Sequence, residues 1–181
     1  MSAVLSPPLP RSAQKTWADA AFEHRADLAL LRRELDHIPP PGHLVIPGTN
    51  GDVAEALRID ASAFGDFWQF DRRALAEAMA ATPRSILHVV RNPSGGLAGF
   101  AVSGVGTTIA YLQRLAVEPA RQGIGIGRSL VRSSARWAKR EGAHALMLNT
   151  QVDNQPAMAL YESEGFSALD EPLAVLERAV G

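Results

Sequence analysis

The chain has 181 residues, 46% of them hydrophobic and 20% charged, and its 18 basic and 19 acidic side chains leave a formal net charge of −1. That length predicts one domain with a substantial core, and the charge balance argues against a broad nucleic-acid-binding face. The absence of cysteine excludes disulfides, thiolate zinc sites and a cysteine acyl-enzyme.

His24, His37, His43, His88 and His144 are scattered without metal-ligand spacing, so no metal is expected. No apolar run approaches bilayer length, and the Ser6-Pro7-Pro8-Leu9-Pro10 start lacks the apolar core of a signal peptide. The expectation is a cytoplasmic protein with neither membrane nor nucleic acid as a partner.

Residues 1–15 are rich in proline and serine and are expected to be disordered. Within residues 17–36, Leu28, Leu31 and Leu35 suit a helix, while Leu28 and Leu30 suit a strand. An internal echo favours the strand. Phe22 followed by residues 28–33 resembles Phe166 followed by residues 173–178, as if the first were left over from a degenerate repeat. Chance similarity explains the echo equally well. Pro39-Pro40-Pro41-Gly42 reads as a linker closing an N-terminal extension of residues 1–42. That extension either packs on the domain of residues 43–181 or reaches a second copy in a homodimer.

A short strand is expected at 43–47 and a helix at 52–63. An aromatic loop, Phe64 to Phe70, precedes a helix that Asp71 caps and that runs to about 81. Strands at 85–91 and 97–103 flank the hairpin signal Asn92-Pro93-Ser94-Gly95-Gly96, and a third strand follows at 107–117. Helix 125–141, ended by Gly142, strand 143–151, helix 154–164 and a broken strand pair at 166–178 complete the order. This sequence of elements predicts a mixed α/β sheet with about four flanking helices.

The most informative stretch lies between the third strand and the helix after it: Val117-Glu118-Pro119-Ala120-Arg121-Gln122-Gly123-Ile124-Gly125-Ile126-Gly127-Arg128. A strand, a glycine turn and a helix start aim backbone N–H groups and a positive helix end at one point, which suits a phosphate. Arg121 and Arg128 add charged donors. The spacing of Gly123, Gly125 and Gly127 departs from the dinucleotide fingerprint. Arg128 in place of lysine, and Gln122 where a first glycine should stand, depart from the ATP/GTP loop.

The order Val117-x-Pro119-x-x-Gln122-x-x-Gly125-x-Gly127 resembles the acetyl-CoA signature of the GCN5-related N-acetyltransferases (GNAT). So does the downstream order Asn154-x-x-Ala157-x-x-x-Tyr161-x-x-x-Gly165-Phe166. The resemblance covers roughly residues 43–179. It implies a mostly antiparallel twisted sheet, splayed where acetyl-CoA binds, and acetyl transfer to an amine by direct attack on the thioester.

By the same resemblance, the backbone of Leu115, Ala116 and Val117 pairs with the pantetheine amides. Gly123, Ile124, Gly125, Ile126, Gly127 and Arg128 hold the diphosphate, Gln122 is a further cofactor-binding residue, and Asn154 lies beside the pantetheine arm. Tyr161 returns a proton to the departing thiolate, which a phenol of pKa near 10 can do at modest cost. Without the resemblance, Asn154 is an ordinary helix N-cap and Tyr161 an ordinary core tyrosine.

The familiar bases are missing. Relatives acting on peptide N-termini often carry a glutamate where this chain has Asn149, and the histone-acetylating type has one near Tyr111. Substitutes are Asp66 or Asp71 beside the acceptor, or a water relay through Asn149, Gln151 and Tyr111. An α-amine needing little help is the third route. At pH 7 an α-amine is roughly a tenth neutral, against under one part in a thousand for lysine, so an α-amine acceptor on a peptide or small metabolite is favoured.

Asp66, Phe67, Trp68 and Tyr111 are the candidate acceptor wall; the alternative is that two or three aromatics of the loop pack the core. Arg114 either holds an acceptor carboxylate or forms a structural salt bridge. A non-catalytic acyl-CoA-binding module is the rival reading of the whole chain.

Overall fold

The computed structural model describes residues 2–180, which divide into two compact units. One is Arg33–Met147; the other joins the residues up to Arg32 to those from Leu148 onward. The strands are mostly antiparallel and the helices number five among the described residues, a mixed α/β fold of the expected class with one helix more than expected.

In the unit formed by the two ends of the chain, β10 (Leu173–Val180) is the central strand. It pairs antiparallel with β1 (Ser2–Leu5), β2 (Leu9–Pro10) and β3 (Glu23–Glu34). Helix α1 (Arg11–Asp19) follows Pro10, a residue suited to a helix start. Trp17 and Ala13, one turn apart, lie on a cluster of Leu9, Phe22, Ala174 and Leu176.

These elements correct, for residues 2–15, the expectation that residues 1–15 are disordered; Met1 lies outside the described residues. The composition argument misses the exposed edge of β10, which gives residues 2–5 a ladder. Ser6 extends it: its N–H donates to the Leu176 carbonyl at 2.8 Å and its hydroxyl accepts from the Leu176 N–H at 2.9 Å. The extended reading of the leucine-rich run holds for 23–34, whereas residues 17–19 finish α1. The two echoing segments are ladder neighbours, with Leu28 opposite Leu173. Helix α5 (Gln155–Ser163) and β9 (Ser167–Ala168) complete this unit; β9 pairs with β3 at Leu31 and Arg32.

In the unit Arg33–Met147, β4 (Ile46–Pro47), β5 (Arg84–Arg91), β6 (Leu97–Val105) and β7 (Ile109–Val117) form an antiparallel run. The first strand is shorter than the expected 43–47. Strand β8 (Ala145–Gln151) begins here, parallel to β7 from Ile109↔Ala145 to Tyr111↔Met147.

Helices α2 (Val53–Ala63) and α3 (Arg72–Ala80) cover one face, where Ile59 and Leu75 meet Leu87, Val89, Phe100 and Val102. The alternate residues of β5 face the other way: the ring of His88 meets Trp137 of α4 (Ile126–Arg140) edge-on, centroids 6.3 Å apart. α4 lies so close that a Cβ on Gly99 of β6 would come within 3.2 Å of the Ile126 side chain and 3.3 Å of that of Leu130. The hairpin turn is built as its sequence predicts, with the Asn92 carboxamide oxygen accepting from the N–H groups of Ser94 and Gly96 at 3.0 and 3.1 Å.

Candidate functional site

Within the unit Arg33–Met147, β7 pairs with β8 from Ile109 to Tyr111, and the segment Leu112 to Val117 runs along β6. Leu115, Ala116 and Val117 stand opposite Ala101, Phe100 and Gly99 of β6.

Residues 119–121 make one turn of 3-10 helix, and the Gln122 side-chain amide donates back to the Val117 carbonyl at 3.2 Å. That hydrogen bond folds the loop back onto the strand end. Gly123 and Gly125 then take left-handed backbone at φ 79° and 90°, which explains why side chains are absent there. A Cβ on Gly123 would meet nothing within 4 Å, so it is the backbone that requires glycine and the space above the loop stays open.

Helix α4 starts from Gly125 with no side chain capping it. The N–H groups of Ile126 and Gly127 therefore open the first turn of a helix, where no intrahelical carbonyl precedes them. With the dipole behind them they fit an anion such as a diphosphate.

In the same unit Arg114 of β7 organises the aromatic loop. Its Nη2 donates to the Asp60 carboxylate at 2.8 Å and to the Trp68 carbonyl at 2.7 Å, and its Nε binds the second Asp60 oxygen. The guanidinium carbon sits 3.6 Å from the Phe64 ring centroid and 4.1 Å from that of Phe70. The Phe70 N–H also donates to Asp60, at 2.6 Å. Arg114 is therefore the structural salt bridge, not a free anchor for an acceptor carboxylate.

Two aromatics, Phe64 and Phe70, pack the core, while the half-buried Phe67 and Trp68 meet edge-to-face at 4.6 Å. Asp66 is exposed, and Tyr111 is 40% exposed. Asp71 is committed as the cap of α3, accepting from the Ala74 N–H at 2.7 Å.

Asn149, Gln151, Asn154 and Tyr161 belong to the other unit. Asn149 is exposed on β8. The Asn154 side-chain Oδ1 accepts from the Ala157 N–H at 3.2 Å, which is the N-cap role, and its side-chain Nδ2 donates to the Gln151 side-chain oxygen at 3.4 Å. Tyr161 is buried in α5, and its ring meets Phe166 at 5.6 Å.

Sequence reasoning overlooked Asp60, His43 and Ser129. Asp60 was visible as a charge one turn after Ala56, on the apolar side of α2. Ser129 was visible as a polar residue on the buried stripe of α4. His43 carries no local signal, because its partner lies far along the chain: its Nε2 stands 2.8 Å from the Ile124 carbonyl oxygen.

A model of the acetyltransferase (GNAT) family matches residues 53–166. A mycothiol acetyltransferase of Nocardioides sp. is 27% identical over 87% of this chain and 62% of its own length. A putative ribosomal protein bS18-alanine N-acetyltransferase of Bacillus subtilis is 28% identical over 63% of this chain and 74% of its own. A crystal structure of a GCN5-related N-acetyltransferase from Sphaerobacter thermophilus superposes with a TM-score of 0.71 at 16% identity, covering 97% of this chain and 59% of that one. The chain thus spans less than two thirds of the first of these relatives. Among the described residues no helix is long and apolar enough to cross a membrane, and no group of acidic and histidine side chains is placed to hold a metal ion.

Proposed function

The chain belongs to the acetyltransferase (GNAT) family, and from that premise we propose that it transfers acetyl from acetyl-CoA to the α-amine of a peptide or small metabolite. The observation that carries this reading is the start of α4: two left-handed glycines leading from the end of β7 into an uncapped helix.

Gly123 to Arg128 bind the diphosphate through main-chain N–H groups, and Leu115 to Val117 hold the pantetheine amides in strand fashion. A backbone N–H of this segment stabilises the oxyanion as the amine nitrogen attacks the thioester carbon. The C–N bond forms, the C–S bond breaks, and Tyr161 returns a proton to the sulfur. The proton lost by the amine leaves to solvent along Asn149, Gln151 and Tyr111. Asp66, Phe67, Trp68 and Tyr111 border the acceptor.

No carboxylate base is needed for an acceptor that is already partly neutral, which is the reason for choosing an α-amine over lysine. One relative is named for acetylating an alanine of a ribosomal protein, which is in keeping with this class. Turnover measured from pH 6 to 9 on a peptide with a free α-amine, and on one with only a lysine amine, tests the reading. The α-amine peptide is expected to win throughout; faster turnover on lysine sinks the acceptor assignment.

A second reading, a non-catalytic acyl-CoA-binding module, draws on the commitment of Asp60 to Arg114 and of Asp71 to the α3 cap. Coenzyme binding without turnover across a broad amine panel would favour it.

A further inference from the structure

Residues 36–43 form a strap along α4. Lys139 donates to the Asp36 carbonyl, Arg136 to that of Ile38 at 3.1 Å and Arg132 to that of Pro40 at 3.1 Å. At the helix start, the Ser129 hydroxyl accepts from the N–H groups of Gly42 and His43 at 3.2 and 3.0 Å. The side chains at 129, 132, 136 and 139, one acceptor and three donors, recur at the three- and four-residue spacing of one helix face, and their partners advance steadily along the proline-rich segment. Prolines suit this role, because an extended proline-rich segment has carbonyls to offer and few N–H groups to satisfy.

The strap ends on the glycine loop. His43 donates from Nε2 to the Ile124 carbonyl at 2.8 Å, and Ser129 donates to the Gly125 carbonyl at 3.0 Å. A trans peptide points its C=O and N–H in opposite directions. Holding the Ile124 oxygen from the strap side therefore turns the Gly125 N–H outward, and holding the Gly125 oxygen does the same for the Ile126 N–H. Left-handed glycines flank the Ile124–Gly125 peptide and Ile124 is 58% exposed, so core packing does not fix it.

We infer that His43 is a positioning residue for the donor's diphosphate: it sets the Ile124–Gly125 peptide so that its N–H is already aimed at a phosphate oxygen. This rests on the acetyl-CoA reading above. Free rotation of that peptide would cost binding entropy that a preset peptide does not.

The test is calorimetric titration of coenzyme A and of pantetheine, which lacks the diphosphate, into the wild-type chain, His43→Phe and His43→Gln. His43→Phe keeps the ring and loses the donor; glutamine restores a donor at the same reach. The expected result is a roughly tenfold weaker coenzyme A for His43→Phe, near wild-type affinity for His43→Gln, and pantetheine binding unchanged in both. Unchanged coenzyme A binding by His43→Phe, an equal loss for pantetheine, or a His43→Phe protein that does not fold each overturns the inference. Failure of the wild-type chain to bind coenzyme A overturns the acetyl-CoA reading as well, which sets that outcome apart from the others.

Discussion

Arg114 and Asp60 meet through both carboxylate oxygens, with the Asp60 side chain 0% exposed and that of Arg114 10% exposed. The pair joins β7 to α2, and with Trp68 and Phe70 it fixes the course of the aromatic loop. A strand that would present the donor and a loop that would border the acceptor are thus tied to one ion pair. Removing one member leaves a buried charge alone, so Asp60→Ala should cost about 3–5 kcal/mol in denaturant unfolding. Arg114→Lys should not rescue, since an ammonium has neither the planar fork nor the stacking surface between Phe64 and Phe70. A loss under about 1 kcal/mol for Asp60→Ala would remove the pair from its place as anchor.

Gly125 sits at φ 90°, where an L side chain is strained, although a Cβ there would meet His43 at an ordinary 3.7 Å. Gly125→Ala should therefore destabilise by about 1–2 kcal/mol and weaken coenzyme A. Gly65→Ala, where a Cβ meets nothing within 4 Å, is the matched control and should be near neutral. Thermal unfolding and titration of both variants check the pair; equal behaviour would mean that the left-handed backbone is not what the loop requires.

His88 is buried against Trp137, and desolvation, with Arg140 nearby, pulls its pKa down to about 4. The folded state then binds fewer protons than the unfolded state between pH 4 and 6.5. The stability is fully present above pH 6.5 and is lost as pH falls through that window, by about 3 kcal/mol in all. Unfolding free energies of the wild type and His88→Gln at several pH values should diverge in that range. Parallel curves would show that His88 does not carry the proton uptake.

Asn154 caps α5, so Asn154→Ala should lose about 1 kcal/mol while Asn154→Asp keeps the cap. If the residue also serves the pantetheine arm, turnover should fall in both variants, because the aspartate keeps the acceptor but not the amide donor. Full activity in Asn154→Asp would leave the cap as its whole role.

The sequence by itself determined what is local. Periodicity placed α2, α4 and β5 to β7, Asp71 announced the start of α3, and the alternating glycines marked the loop before α4, since caps, turns and amphipathic faces act over one or two turns of chain. The aromatic run was legible as a loop, but which rings were core was not. Arg114 decides that from far along the sequence, by drawing Phe64 and Phe70 inward. The same holds for residues 2–19, whose order comes from an open edge of β10, and for His43, whose ring meets a loop that folding alone brings near. Only the tertiary structure could supply these, because a buried ion pair, a free sheet edge and a carbonyl awaiting a donor are properties of partners distant in sequence.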